Sequence, residues 1–375
     1  MSLKHVHIIA FDVPYPADYG GVIDIYYKIK ALQAQGIKVH LHCFEYGRKK
    51  TEQLMLICHT VNYYKRNMRK KQLFSSIPFI VISRASEKLM QNLLKDDYPV
   101  IFEGLHTCYH LADERIKNRI KIVRTHNVEH TYYKGLERFW KSALKQFYFR
   151  EEAEKLKKFE KVLHHANHIA AISKADADEL ASRYLHVTFI GAFHPYNEVN
   201  IKEGMGDYCL YHGNLSVEEN NKAALFLMYE VFSKINLPLI IAGKGASEKL
   251  VRAVNKCKHI QLKENVDDIT MLQLVQNAQL NVLPAFQSTG IKLKLLTALF
   301  NGRHCIVNTE MVVNIGLKNL CSVNDTPEEM SCEIEKLFKM PVNEGEKVKR
   351  DQELLNDFCN KENARKIIQL IESQF

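Results

Sequence analysis

Along the chain, short apolar runs alternate with longer stretches in which apolar residues recur every three to four positions. In the first half the runs fall at 5–11, 38–44, 100–102, 121–124, 168–172 and 186–190, and they predict strands. The stretches 22–34, 85–94 and 141–166 predict helices, the last of them long and rich in lysine. Continuous apolar strands alternating with amphipathic helices point to a parallel sheet covered on both faces. The rhythm stops at 191–206, where glycine and proline punctuate a segment without periodicity, so a linker is expected there. It resumes with strands at 209–212, 237–242, 259–262, 280–283, 305–307 and 320–323. Helices are expected at 217–234, 247–255, 266–276, 291–301 and 327–339, followed by a charged C-terminal helix. The pattern predicts an α/β fold of two Rossmann-like, doubly wound parallel-sheet domains, 1–190 and 207–354, joined by the linker. Ligands of open parallel sheets sit beyond the carboxyl ends of the strands. Two such domains are expected to face a cleft, with the functional residues in the strand-to-helix loops.

Composition narrows this picture without changing it. The 375 residues are 46% hydrophobic, 25% charged and 10% aromatic, which excludes disordered, collagenous and low-complexity classes. No run reaches the ~18 apolar residues of a spanning helix. The start, MSLKHVH, leads into a strand and lacks the apolar core of a signal peptide. Nine scattered cysteines without a CxxC pair speak for a reducing cytoplasm and against zinc or disulfide frameworks. The net charge of +9 is uneven: residues 1–190 carry 31 Lys+Arg against 20 Asp+Glu, and the remainder carry 21 against 23. The first half therefore favours an anionic partner or membrane surface, the plain alternative being a basic solvated face. No nucleic-acid motif accompanies the charge, so nucleic acid is not an expected partner.

Several strand-to-helix loops carry candidate chemistry. After the first strand, Gly20-Gly21 permits positive φ and a close backbone approach to a phosphate or sugar oxygen, or is simply a turn. The segment matches neither GxGxxG nor a Walker A loop. Arg124-Thr125-His126-Asn127-Val128-Glu129-His130 follows another strand. His126 there could exchange a proton near neutral pH, or it could be a structural histidine beside a capping Asn127. Glu103, at the end of the strand at 100–102, is a weaker acceptor-side candidate. In the second half Gly213-Asn214 and Gly243-Lys244-Gly245 each lie where a helix N-terminus could leave N–H groups free for an anion. The densest segment runs Ser288-Thr289-Gly290-Ile291-Lys292-Leu293-Lys294 and on to Thr297. It places Lys292 in a first helical turn, where a cation adds to the positive end of the dipole and attracts a pyrophosphate; a tolerated surface lysine is the alternative.

These residues resemble the retaining, two-domain GT-B glycosyltransferases of the group 1 class. Residues 288–302 are similar to the donor segment written (G)TGIKxKxLEAMAxG, and 124–130 to the acceptor-domain HNVEH segment. The resemblance implies that Gly20 and Gly21 border the leaving phosphate and that His126 lies beside the transferred sugar. It implies that Gly290, Ile291 and Lys292 hold the phosphates, with Ser288, Thr289, Gly213, Asn214, Lys244, Lys294 and Thr297 also on the donor side. No metal or other cofactor is implied; the donor would be a UDP- or GDP-linked sugar and the acceptor a glycan or lipid-linked hydroxyl. Localisation would be cytoplasmic, with peripheral contact to an anionic membrane. A C-terminal helix at 355–375 would return to the first domain.

Two departures bear on turnover. The family's two donor-segment glutamates are Thr289 and Thr297 here, and a hydroxyl lacks the bidentate, charged acceptor of a carboxylate. The family's Arg/Lys pair after the Gly213-type turn is replaced by Glu218, Glu219, Asn220 and Asn221. A nucleotide-sugar-binding protein without turnover, or a nucleotide-sugar epimerase, are therefore the rival expectations.

Overall fold

The computed structural model describes residues 3–139, 142–287, 292–313 and 315–374. Two compact units result: one from the residues up to Pro195 together with those from Asp357 onward, the other from Tyr196 to Asn356.

The first unit is built on seven strands: β1 (His5–Ala10), β2 (Lys38–Glu45), β3 (Thr60–Lys65), β4 (Val100–Glu103), β5 (Lys121–Thr125), β6 (His168–Ala171) and β7 (Val187–Phe189). They pair in parallel in the order 3-2-1-4-5-6-7. Because side chains alternate across a strand, neighbouring residues enter opposite cores. Ile9, Phe102, Val123 and Ile169 pack on one side. Ile8, Ile101, Ile122 and Ala170 pack on the other. The helix Gly20–Ala34 covers the second face through Ile25, Ile29 and Leu32, joined there by Ala364, Ile367 and Ile371 of the C-terminal helix Asn360–Glu372. Fully burying one such aliphatic side chain contributes roughly 1.5–3 kcal/mol.

The second unit has β8 (Cys209–His212), β9 (Leu239–Gly243), β10 (Ile260–Glu264), β11 (Leu280–Leu283), β12 (His304–Val307) and β13 (Ser322–Val323). These too are parallel, in the order 10-9-8-11-12-13. Its helices begin where short polar side chains take up free amides. Ser247 accepts from the Leu250 N–H, Asp267 from the Thr270 N–H, and Thr326 with Glu329 forms a reciprocal capping box. Both sheets reverse direction of winding beside their first strand, between β1 and β4 and between β8 and β11. Those are the crevices where doubly wound sheets bind ligands.

Some expected boundaries shift. The long helix expected at 141–166 is the helix Ala143–Phe159 followed by a 3-10 stretch, Glu160–His165. The helix expected at 217–234 is Glu218–Phe226 running into a π-turn, Leu227–Val231. The charged C-terminal helix is two helices, Glu344–Phe358 and Asn360–Glu372.

Candidate active site

In the first unit the site residues gather around a charge network under the carboxyl ends of β4 and β5. Lys28 Nζ lies 3.0 Å from Asp24 Oδ2, 2.7 Å from Glu103 Oε1 and 2.8 Å from Glu103 Oε2. Arg124 donates from Nη2 to Asp24 Oδ1 at 2.9 Å and also caps the carbonyls of Ile190 and Gly191. All four charged side chains are essentially without solvent contact. Burial alone would raise the Asp24 carboxyl, but Arg124 and then Lys28 outweigh it and hold it well below the ordinary carboxylate range. The two cations balance the two carboxylates, which is what makes such burial tolerable.

His126 is anchored to this network. Its Nε2 is 3.0 Å from Glu103 Oε2 and 4.0 Å from Asp24 Oδ2. A carboxylate only accepts, so Nε2 carries the hydrogen of this contact and Nδ1 is left for another partner. Asp24, Glu103 and His126 bring three potential metal-ligand atoms within 4.8 Å of one another. Lys28 and Arg124 already supply the positive charge there, so the donor set suits an internal ion network and not a divalent cation.

Around it, Phe11 packs edge-on to His126 at 5.4 Å between ring centres and tilted against His106 at 5.3 Å. Glu129 is pushed up to about 8, chiefly by burial and against a hydrogen bond from Asn127. His106 Nδ1 stands 3.6 Å from Glu129 Oε1. Asn127 thus serves Glu129, within the helix Glu129–Phe139.

Gly20 and Gly21 depart from the expectation of positive φ, because they are the first two residues of a regular helix. Their use is spatial. A Cβ on Gly21 would stand 2.5 Å from Phe11 Cζ, whereas one on Gly20 would meet nothing within 4 Å. Beside this loop a hollow of about 400 Å³ is lined by Tyr15, Asp18, Arg48, Lys49 and Lys50.

In the second unit the candidates lie at the β8/β11 crevice. Ser288, Thr289, Gly290 and Ile291 fall outside the described residues. Lys292 stands at the N-cap position of the helix Leu293–Asn301, without a side-chain capping bond, and not, as expected, in its first turn. Its Nζ lies 3.2 Å from Glu219 Oε1. The same carboxylate oxygen accepts from the backbone N–H groups of Phe286 at 3.1 Å and Gln287 at 3.2 Å. Lys294 is partly buried and reaches Asn220 Oδ1 at 3.0 Å, with its ammonium 5.0 Å from the Tyr211 ring centre. Burial, then Lys292, pulls it down to about 7, while Glu219 opposes the shift. Thr297 donates back to Leu293 O at 3.1 Å and accepts from Tyr196 OH at 3.0 Å, so its one proton is committed.

Gly213 and Asn214 form the turn after β8. Asn214 Oδ1 accepts from the Ser216 N–H and hydroxyl, and the helix Glu218–Phe226 starts without a side-chain cap. Gly243 is required because a Cβ would come 1.9 Å from Gly213 O. Lys244 is exposed, and its carbonyl accepts from the Ser216 N–H.

Sequence reasoning missed Asp24 and Lys28 and gave Glu219 no role. The available signal was an Asp-x-x-x-Lys pair, each member directly before an apolar Ile25 or Ile29 of one helix, a place where charges survive only as a network.

The whole-chain comparisons define the fold as GT-B. TarM matches with a TM-score of 0.70 at 9% identity, covering 99% of each chain. Anabaena HepE in complex with UDP and glucose matches at 0.66 and 10% identity, over 99% of this chain and 100% of that one. An S. aureus TarM mutant in complex with fondaparinux, α-GlcNAc-glycerol and UDP gives 0.64 at 11% identity, over 99% and 100%. Residues 206–340 match the family described as glycosyl transferases group 1. An uncharacterized 44.6 kDa protein in the cps region of Klebsiella pneumoniae is 26% identical over 321 residues, 80% of this chain and 81% of that protein.

Proposed function

We propose that the protein is a glycosyltransferase that moves a sugar from a UDP- or GDP-linked donor to a hydroxyl acceptor with retention and without a metal. The observation that carries this reading is the anion-holding cluster at the β8/β11 crevice, two backbone N–H groups and Lys292, within the region that matches the group 1 family. HepE and the S. aureus TarM mutant are complexes with UDP, and a likeness to both supports the nucleotide-linked donor.

The chemistry follows from the groups present. Charge grows on the departing diphosphate as the glycosidic bond breaks, so fixed amides and an ammonium aimed at it favour the transition state. In the first unit His126 presents its Nδ1 at the carboxyl edge of β5, held in one orientation by Glu103. That suits a hydrogen bond to a sugar hydroxyl.

The acceptor is a glycan or a lipid-linked saccharide, and the process a polysaccharide biosynthesis; the cps-region relative supports this. Lys49 and Lys50 beside the hollow, where Arg48 is already paired with Asp12 and Asp18, favour an anionic acceptor. Cytoplasmic residence fits the nine free cysteines, and peripheral membrane contact fits the basic first half. No described helix is long and apolar enough to cross a membrane.

A second reading is favoured by one observation: with Glu219 on the anion site and the Thr297 hydroxyl committed, the chain could bind donors without turning them over. Thermal-shift screening with UDP- and GDP-sugars, followed by a sugar-release and transfer assay in EDTA, separates the two. Release or transfer is expected from the wild type. Lys292→Ala should lower turnover by roughly 10²–10³, the range for one lost oxyanion donor. Stabilisation without any release would favour the binding protein. Transfer by Lys292→Ala at the wild-type rate would refute the assignment of that lysine.

A further inference from the structure

We propose that Glu219 is a built-in ligand of the anion site, an intramolecular carboxylate that the donor diphosphate must displace before the site can work. The inference rests on the donor reading of the β8/β11 crevice and adds a self-inhibited resting state to it.

Three donors meet on one oxygen. Phe286 N–H, Gln287 N–H and Lys292 Nζ lie 3.1, 3.2 and 3.2 Å from Glu219 Oε1. All three belong to the segment between β11 and the helix Leu293–Asn301, while Glu219 comes from the first turn of the helix after β8. Neighbouring strands at the point where the strand order reverses are where open parallel sheets receive phosphates. Two amides and an ammonium converging on one oxygen are also the donor set that a phosphate oxygen takes. An acidic side chain therefore holds the position that the sheet reserves for an exogenous anion.

The contact has the character of a latch and not of a core element. The side chains of Glu219 and Lys292 retain 19% and 15% of their exposure, against 0% for the Asp24–Lys28 pair. An ion pair that still touches solvent is weakened, because water and salt compete for both partners. Released, the Glu219 carboxylate stays at a helix N-terminus, where a negative charge is welcome. A diphosphate brings more charge and more acceptor oxygens than one carboxylate, so it can win the exchange. A weaker monoanion cannot win it as easily. The latch would thus set a threshold that favours polyphosphate-bearing ligands.

Calorimetric titration of the full chain with inorganic pyrophosphate and, separately, with UDP tests this. Glu219→Gln keeps the shape and removes the charge. It should tighten pyrophosphate binding about tenfold at low ionic strength, as expected when a competing charge-assisted contact is lost. Lys292→Ala should weaken it. Glu219→Asp, with its carboxylate one methylene short of the amides, should tighten it to a smaller degree and serves if the neutral variant fails to fold.

Parallel tightening of UDP supports both the latch and the donor reading. Tightening of pyrophosphate with no binding of UDP or nucleotide sugars keeps the latch and removes that reading. Equal UDP affinity in wild type and Glu219→Gln overturns the latch and leaves the donor reading standing. Weaker binding by Glu219→Gln also overturns it, since Glu219 would then be touching the ligand. Failure of every variant to bind either anion overturns both.

Discussion

At the scale of single residues, two kinds of ion pair do different work in this chain. Asp24 accepts from Lys28 and Arg124 and also takes the Phe193 N–H at 2.9 Å, all without solvent. Removing one member of such a network strands charge in a low dielectric. Asp24→Asn is therefore expected to destabilise the first unit by about 3–5 kcal/mol, the usual cost of breaking a buried pair. Urea unfolding measures it. The exposed i,i+4 pair Glu248–Arg252, whose nitrogen and oxygen are 2.7 Å apart, is the control: Glu248→Gln should leave the midpoint where it is. A midpoint equally unmoved by Asp24→Asn would show that Lys28 and Arg124 find other partners. The same network explains why His126 can be specific. Its Nε2 is fixed by a carboxylate that is itself fixed, so the ring presents one nitrogen in one direction.

At the scale of elements, β1 and β2 carry a feature the site does not use. Alternate residues of paired strands share a face, and here they place His5 and His7 against His40 and His42. His5 Nδ1 is 3.0 Å from His40 Nε2, and His7 Nδ1 is 2.8 Å from His42 Nε2. His7 Nε2 meets Asp96 Oδ1 at 2.8 Å, His40 Nδ1 meets Thr60 Oγ1 at 3.0 Å, and His42 Nδ1 meets Tyr64 OH at 2.8 Å. Lys38, His59, Lys95, Tyr98 and Arg119 also face the ladder, and the cations among them oppose further charge. Burial, then His7 and His5, lowers His40 to about 4 from the ordinary 6.5.

Between pH 6.5 and 4 the unfolded chain binds protons at these rings that the folded chain does not, so stability falls as pH falls through that window. The Tm should drop steadily from pH 6.5 to 4, and His40→Gln should flatten part of that slope. A Tm that is flat to pH 4.5 would mean the ladder protonates without loss.

How much of this was legible in the sequence depended on whether the signal was local. The strands β1, β2, β8 and β11 are mostly buried and rich in apolar residues, and their positions could be read to within a residue or so. The edge strand β3 could not be read, because Thr60–Lys65 is half-exposed and carries no apolar run. Nor could the break of the long lysine-rich helix at Phe159–Glu160, where Glu160 turns inward to take His130 Nδ1 at 3.1 Å and an ion pair with Arg183. His126 stood out because polar residues crowd a strand end, and Lys292 because a lysine at a helix start adds to the positive end of the dipole. Glu219 did not, since its role depends on amides 67 and 68 positions away.

At the scale of the whole molecule, the excess of 11 positive charges in residues 1–190 has a place to act. The segment 65–75 carries exposed Lys65, Arg69, Lys70 and Lys71, together with Met68 and an almost fully exposed Phe74. It is tied to the helix Ala143–Phe159, because Lys155 Nζ donates to Leu73 O at 2.7 Å and the Phe79 N–H to Glu152 Oε2 at 2.6 Å. That helix begins with exposed Leu144 and Phe147, with Leu144 on the same stripe as Tyr148, Glu151 and Lys155. Exposed aromatic and aliphatic side chains ringed by lysines and arginines fit an anionic lipid surface, where each basic residue contributes about 1 kcal/mol and the apolar tips enter the headgroup layer.

Flotation with vesicles containing phosphatidylglycerol should show binding that falls as salt rises. Neutral vesicles should bind far less. Lys70→Glu with Lys71→Glu should lower the partition coefficient by about an order of magnitude or more on that per-residue scale. Phe74→Ser with Phe147→Ser should weaken binding to a degree that salt does not change, because the contribution removed is apolar. Equal binding to neutral vesicles, or wild-type binding by both double variants, would move the membrane contact off this face and leave the basic charge to the acceptor alone.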